Sequence, residues 1–92
     1  AAGQDYAPAE YDLALCYHYG KGVDRNPEES REWFQKAADQ GHAAAQKALG
    51  VCYVNGIGTN KDEAEAVKWY KLAAEQNYEK AQEILRELGE KW

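Results

Sequence analysis

Laid over itself at an offset of 36 residues, with residues 1–56 on residues 37–92, the chain repeats. Ala9 falls on Ala45 and Ala81, Leu13 on Leu49 and Leu85, Cys16 on Cys52, and Tyr17 on Tyr53. Gly20 falls on Gly56, Gly22 on Gly58, Trp33 on Trp69, and Ala37-Ala38 on Ala73-Ala74. These identities gather on glycines, aromatics and small residues, where a fold constrains backbone conformation and side-chain size. A repeat of this length is one supersecondary unit that cannot bury its apolar face alone, so neighbouring units must stack.

Each unit carries two helical patterns. Ala45, Leu49, Cys52 and Tyr53 lie at i, i+4, i+7 and i+8 on one face, and Ala66, Trp69, Tyr70, Ala73 and Ala74 form a second face by the same spacing. Gly20 and Gly56 stand where a left-handed residue closes the first helix. Asn26 and Asp62 occupy N-cap positions, with Glu29 and Glu65 three residues on, and Pro27 takes the one helical position that needs no N–H. Gly41 and Asn77 end the second helix. The spacing predicts helices over 7–19, 27–40, 43–55, 63–76 and 79–90, an all-α solenoid in a single repeat domain spanning 1–92. Its units run over about 5–40 and 41–76, and a capping helix over about 79–90.

At 92 residues there is material for one thin core. Three Trp, seven Tyr, one Phe and no Met leave that core to aromatic rings and alanines. No apolar run approaches the roughly 20 residues that cross a bilayer and no signal-peptide pattern opens the chain, so it reads as soluble with its compartment open. A net charge of −5, with no cluster of Lys or Arg, argues against nucleic acid as partner.

The string Leu49-Gly50-Val51-Cys52-Tyr53-Val54-Asn55-Gly56-Ile57-Gly58, followed by Asp62, Ala66, Trp69-Tyr70 and Ala73-Ala74, resembles the Sel1-like repeat, a relative of the tetratricopeptide repeat. The resemblance covers the whole chain. It implies a right-handed α-α superhelix of stacked hairpins whose first helices line a concave face. It also implies an adaptor role in assembling protein complexes, as in bacterial envelope and host interaction and in eukaryotic protein quality control. In the third unit Arg86 replaces the family glycine and Gly89 the tyrosine, and Glu83, Glu87, Glu90 and Lys91 add charge, as a capping helix requires. At the other end Ala1-Ala2 match a preceding double alanine and Asp5 replaces the glycine, the pattern of an array trimmed on its N-terminal side.

Candidate chemistry is sparse. Cys16 and Cys52 share a repeat position, which puts them on first helices about 8–10 Å apart at their axes. A disulfide needs Cα atoms within roughly 7 Å, so both read as free thiols. Disulfide-rich members of the family pair cysteines between the two helices of one unit, and here each unit has one. Gly20-Lys21-Gly22 and Gly56-Ile57-Gly58 lack the strand and third glycine of a phosphate loop and read as turns. His18 and His42 have no His or Cys at i+4 to build a metal site. Ser30 takes an alanine-like position and Thr59 follows a turn, so neither is a plausible nucleophile. No catalytic, metal or cofactor residue is assigned.

A residue that recurs with the repeat is packing, and a binding residue is free to vary between units. On the hairpin geometry implied by the resemblance, the groove-facing positions are Tyr11, Leu15, His18 and Tyr19, then Lys47, Val51, Val54 and Asn55, with Lys80, Glu83 and Glu87 closing the row. The expected function is a non-catalytic scaffold that binds a peptide or partner helix on this concave face, without inserting into membranes. An uncapped N-terminal end leaves room for weak self-association. The alternative is a structural fragment of a longer array, or an engineered mini-solenoid, with no binding activity of its own.

Overall fold

The N-cap residues set where the second helices begin. In the computed structural model, which describes residues 7–90, the Asn26 side chain accepts from the Glu29 N–H at 3.1 Å, and Asp62 accepts from the Glu65 N–H at the same distance. Five helices follow among the described residues: α1 (Ala7–Tyr19), α2 (Pro27–Asp39), α3 (Ala43–Asn55), α4 (Glu63–Glu75) and α5 (Glu79–Glu87). The expectations placed on Ala1, Ala2, Asp5 and Lys91 lie outside the described residues. α2 and α4 stop one residue before the expected ends, because Gln40 and Gln76 turn back onto the preceding carbonyls ahead of left-handed Gly41 and Asn77. α5 ends at Glu87 and not at 90, since Gly89 adopts a φ of +75° and the Glu90 N–H closes onto the Leu85 carbonyl at 2.9 Å.

Each helix packs on the next in sequence, so the contacts run α1 to α2, α2 to α3, α3 to α4 and α4 to α5. The result is a helical solenoid, 17 Å across its thinnest direction. The repeated turns are fixed by matching bonds. Asn26 N–H donates to Tyr17 O at 2.9 Å and Asp62 N–H to Tyr53 O at 2.8 Å.

Alanine dominates the core because helices can approach closely only where side chains are small. Ala14, Phe34, Ala37, Ala38, Ala45, Leu49 and Cys52 form one buried cluster; Ala66, Tyr70, Ala73, Ala74, Ala81 and Leu85 form a second. Gly50 marks a close approach of α3 to α4, where an added Cβ would stand 2.6 Å from the Tyr70 ring. Ser30, buried where the next unit has Ala66, donates its hydroxyl to the Ala14 carbonyl at 3.0 Å.

A glutamine ladder ties successive hairpins together. Gln46 Nε2 donates to Ala38 O at 3.2 Å and, one repeat on, Gln82 Nε2 donates to Ala74 O at 3.1 Å. Gln76 Nε2 donates to Gln46 Oε1 at 2.9 Å, and Gln40 Nε2 donates to Glu10 in the equivalent place. Ala45, Leu49, Ala81 and Leu85 are fully buried, whereas their counterparts on α1 are not: Ala9 is exposed and Leu13 half-buried.

Candidate functional site

The helix-hairpin register carries the first helices of the units side by side, and between them lies a cavity of about 300 Å³. Tyr11, Leu15, His18 and Tyr19 of α1 line one wall. Lys47 and Val51 of α3 face them, and Lys80 closes the α5 side. These seven of the expected groove residues come together. Val54, Asn55, Glu83 and Glu87 do not join them. Val54 lies in a separate depression with Ala64, Val67 and Leu88, and Asn55, Glu83 and Glu87 are exposed elsewhere. Val54 packs instead against the buried cluster that α4 and α5 form around Ala66, Tyr70 and Leu85.

Phe34 of α2, Ile57 of the second turn and Tyr78 ahead of α5 also border the cavity, and sequence reasoning left all three out of the groove. Phe34 recurs as Tyr70 and so read as packing only. Tyr78 offered a signal, since its repeat position also holds a ring in His42.

The aromatic residues form a connected row. Tyr11 packs against His42 with ring centroids 5.0 Å apart and against Phe34 at 5.8 Å. His18 lies 6.4 Å from Phe34 and meets Tyr19 edge-on at 4.7 Å. Tyr19 is 66% exposed at the end of this row, whereas Tyr11 and Leu15 are half-buried. Burial, then the nearby phenols of Tyr78 and Tyr19 and the carboxylate of Asp12, hold the Tyr11 hydroxyl above its usual range and so keep it protonated as a donor.

The chemistry of the walls favours contact over reaction. Burial pushes the Cys52 thiol up to about 11, against a smaller lowering by Arg31, so the sulfur facing the cavity is not a thiolate at neutral pH. Both cysteines carry free thiols. Among the described residues no three His, Cys, Asp or Glu side chains converge as a metal site, and no helix is long and apolar enough to cross a membrane.

A family model for the Sel1 repeat matches residues 7–42 and again residues 43–83. The fold is similar to that of a Sel1 repeat protein from Oxalobacter formigenes, with a TM-score of 0.85 and 44% identity over 86% of this chain and 32% of that one. It is similar to c5321, a protective antigen of uropathogenic Escherichia coli strains displaying an SLR fold, with a TM-score of 0.82 and 47% identity over 84% of this chain and 16% of that one. Helicobacter pylori cysteine rich protein B gives a TM-score of 0.82 and 26% identity over 86% of this chain and 59% of its own. This chain therefore spans less than two thirds of each of these relatives. No curated protein is a significant match. Two matched repeats that together take in most of the sequence, on a solenoid that superposes with Sel1 structures, place the chain in the Sel1 repeat family.

Proposed function

We propose that the chain is a non-catalytic protein-interaction scaffold that holds an extended or helical segment of a partner in the groove between α1, α3 and α5. The observation that carries this reading is the convergence of Tyr11, Leu15, His18 and Tyr19 with Lys47 and Val51 on one cavity, although these positions differ from unit to unit. Aromatic rings with polar tips are the side chains that anchor interfaces, since they give large contact area at low entropic cost. The protonated Cys52 thiol supports binding over nucleophilic chemistry.

The test is a pulldown comparing the unmodified chain with a Tyr19→Ala, Lys47→Ala double variant, both shown to be folded by circular dichroism. A partner held by the first and released by the second is the expected result. A partner held equally by both, or none held by either, would refute the groove.

A second reading is a purely structural stack, and the packing of Tyr11 between His42 and Phe34 favours it for that residue. Tyr19, exposed with its ring edge-on to His18, is left unexplained by that alternative. Weak self-association through α1 is also part of the proposal, supported by Ala9 standing exposed and Leu13 only half-buried where Ala45 and Leu49 are fully buried. Sedimentation over a concentration series checks it, and a strict monomer at the highest concentration would end it.

A further inference from the structure

Resting on the groove reading above, we propose that the segment bound there is acidic, with carboxylates meeting Lys47 and Lys80 while its apolar side chains enter between Leu15, Val51 and Phe34. The chain as a whole carries a net charge of −5, yet the walls of this cavity contain two lysines and no Asp or Glu. Neither lysine is matched from within: the ion pairs among the described residues are Lys68 with Glu65 and Lys71 with Glu90. Of the carboxylates on the same helices, Asp12, Glu79, Glu83 and Glu87 are exposed, Glu10 is buried, and all five lie outside the lining. A cationic floor inside an anionic protein steers an acidic segment into the groove and repels a basic one from the surrounding surface.

Close helix packing runs between sequence neighbours, which leaves α1, α3 and α5 to border the cavity from different sides. Lys47 on the middle helix α3 and Lys80 at the start of α5 line it away from the aromatic wall of α1. The apolar part of the segment therefore lies against α1 and its acidic part against α3 and α5. Two ammonium groups are too few to hold a nucleic-acid backbone, whose affinity grows with the number of phosphates neutralised.

The experiment uses fluorescence polarisation with three fluorescein-labelled pools of eight-residue peptides. Alternate positions carry Glu, Gln or Lys, and the remainder are drawn from Leu, Val, Phe and Tyr. A labelled oligothymidine is run beside them. The proteins are the unmodified chain, a Lys47→Glu, Lys80→Glu double variant and Tyr19→Ala, each confirmed as folded.

We expect the Glu pool to bind about fivefold tighter than the Gln pool, as two partly exposed ion pairs allow, with the advantage shrinking in high salt. The double variant should prefer the Lys pool. Equal binding of the Glu and Gln pools, both weakened by Tyr19→Ala, overturns the charge inference while leaving the groove in place. No binding by any pool removes both. Oligothymidine bound as tightly as the Glu pool overturns the assignment of a peptide partner.

Discussion

Gly22 and Gly58 occupy the same repeat position with nearly the same backbone, at φ +74° and +69°, but in different surroundings. A Cβ at Gly22 would meet nothing within 4 Å. At Gly58 it would stand 2.3 Å from the Pro27 carbonyl oxygen and 3.0 Å from Glu28 Cα, because the second turn rests directly on the start of α2. Arg31 Nε donates to the Gly58 carbonyl at 3.3 Å and holds that contact shut. Alanine at either site pays the left-handed penalty of about 1–2 kcal/mol. At Gly58 the backbone must also separate from Pro27, an overpacking cost of about 1–3 kcal/mol, or lift away and lose the Arg31 bond, worth about 1 kcal/mol. Gly22→Ala should therefore cost about 1–2 kcal/mol and Gly58→Ala about 2–5 kcal/mol. Urea unfolding followed by far-ultraviolet circular dichroism gives both values if the slopes agree. Loss of any cooperative transition in Gly58→Ala, with Gly22→Ala still folded, agrees with the expectation. Equal destabilisation of the two variants would refute the claim that the turn of one unit is wedged against the helix of the unit before it.

Other perturbations read other parts of the stack. Removing the caps with Asn26→Ala or Asp62→Ala should cost about 1 kcal/mol each in the same urea assay, since each strands one backbone N–H. Gln46→Leu removes one of two donors to the Ala38 carbonyl, which keeps the Gly41 N–H, and takes the acceptor from Gln76 Nε2, so it should cost about 1–2 kcal/mol, more than Gln82→Leu at the half-buried equivalent position. Burial lifts Cys52 from 9.0 to about 11 and Tyr70 from 10.0 to about 12, so above pH 9 the unfolded chain releases protons that the folded chain retains. Stability from these groups is then full below pH 9 and falls as pH rises, by up to roughly 1.4 kcal/mol per pH unit for each group. A urea midpoint that stays constant from about pH 8 to about pH 11 would contradict this, and Cys52→Ala should delay the decline.

The helix starts were legible because the signals are local. Asn26 with Glu29 and Asp62 with Glu65 cap their helices through bonds that need no tertiary partner. The end of α5 was less so. Compared with Tyr17 and Tyr53, Gly89 reads as a substitution within a helix, yet its left-handed backbone terminates the helix at Glu87. That Tyr11, Leu15, His18 and Tyr19 share one side of α1 was also readable, since they follow helical spacing from one another. Phe34, Ile57 and Tyr78 were not, because how deeply a second-helix ring reaches between two first helices depends on interaxial distance and rotation. Spacing along one helix carries neither quantity, which is also why Val54 was misplaced by one groove.

The repeat itself separates the two kinds of position. Where units 1, 2 and 3 carry the same residue, as Ala9, Ala45 and Ala81 or Leu13, Leu49 and Leu85, the side chain answers to a preceding hairpin, which buries the copies on α3 and α5 and leaves Ala9 exposed and Leu13 half-buried on α1. Where they differ, no common packing partner constrains them. Along one such position the residues run Tyr11, Lys47, Glu83, and along another Leu15, Val51, Glu87. The lining of the cavity thus changes from aromatic and aliphatic at α1 to the cations Lys47 on α3 and Lys80 on α5, while Glu83 and Glu87 stay outside it. A segment lying across it meets a different chemistry at either side, so reversing its direction would place apolar side chains beside Lys47 and Lys80 and carboxylates against the Leu15 wall. On the proposed reading the groove therefore selects orientation as well as composition, because burying a carboxylate against an apolar wall costs more than the lost pairing with lysine alone.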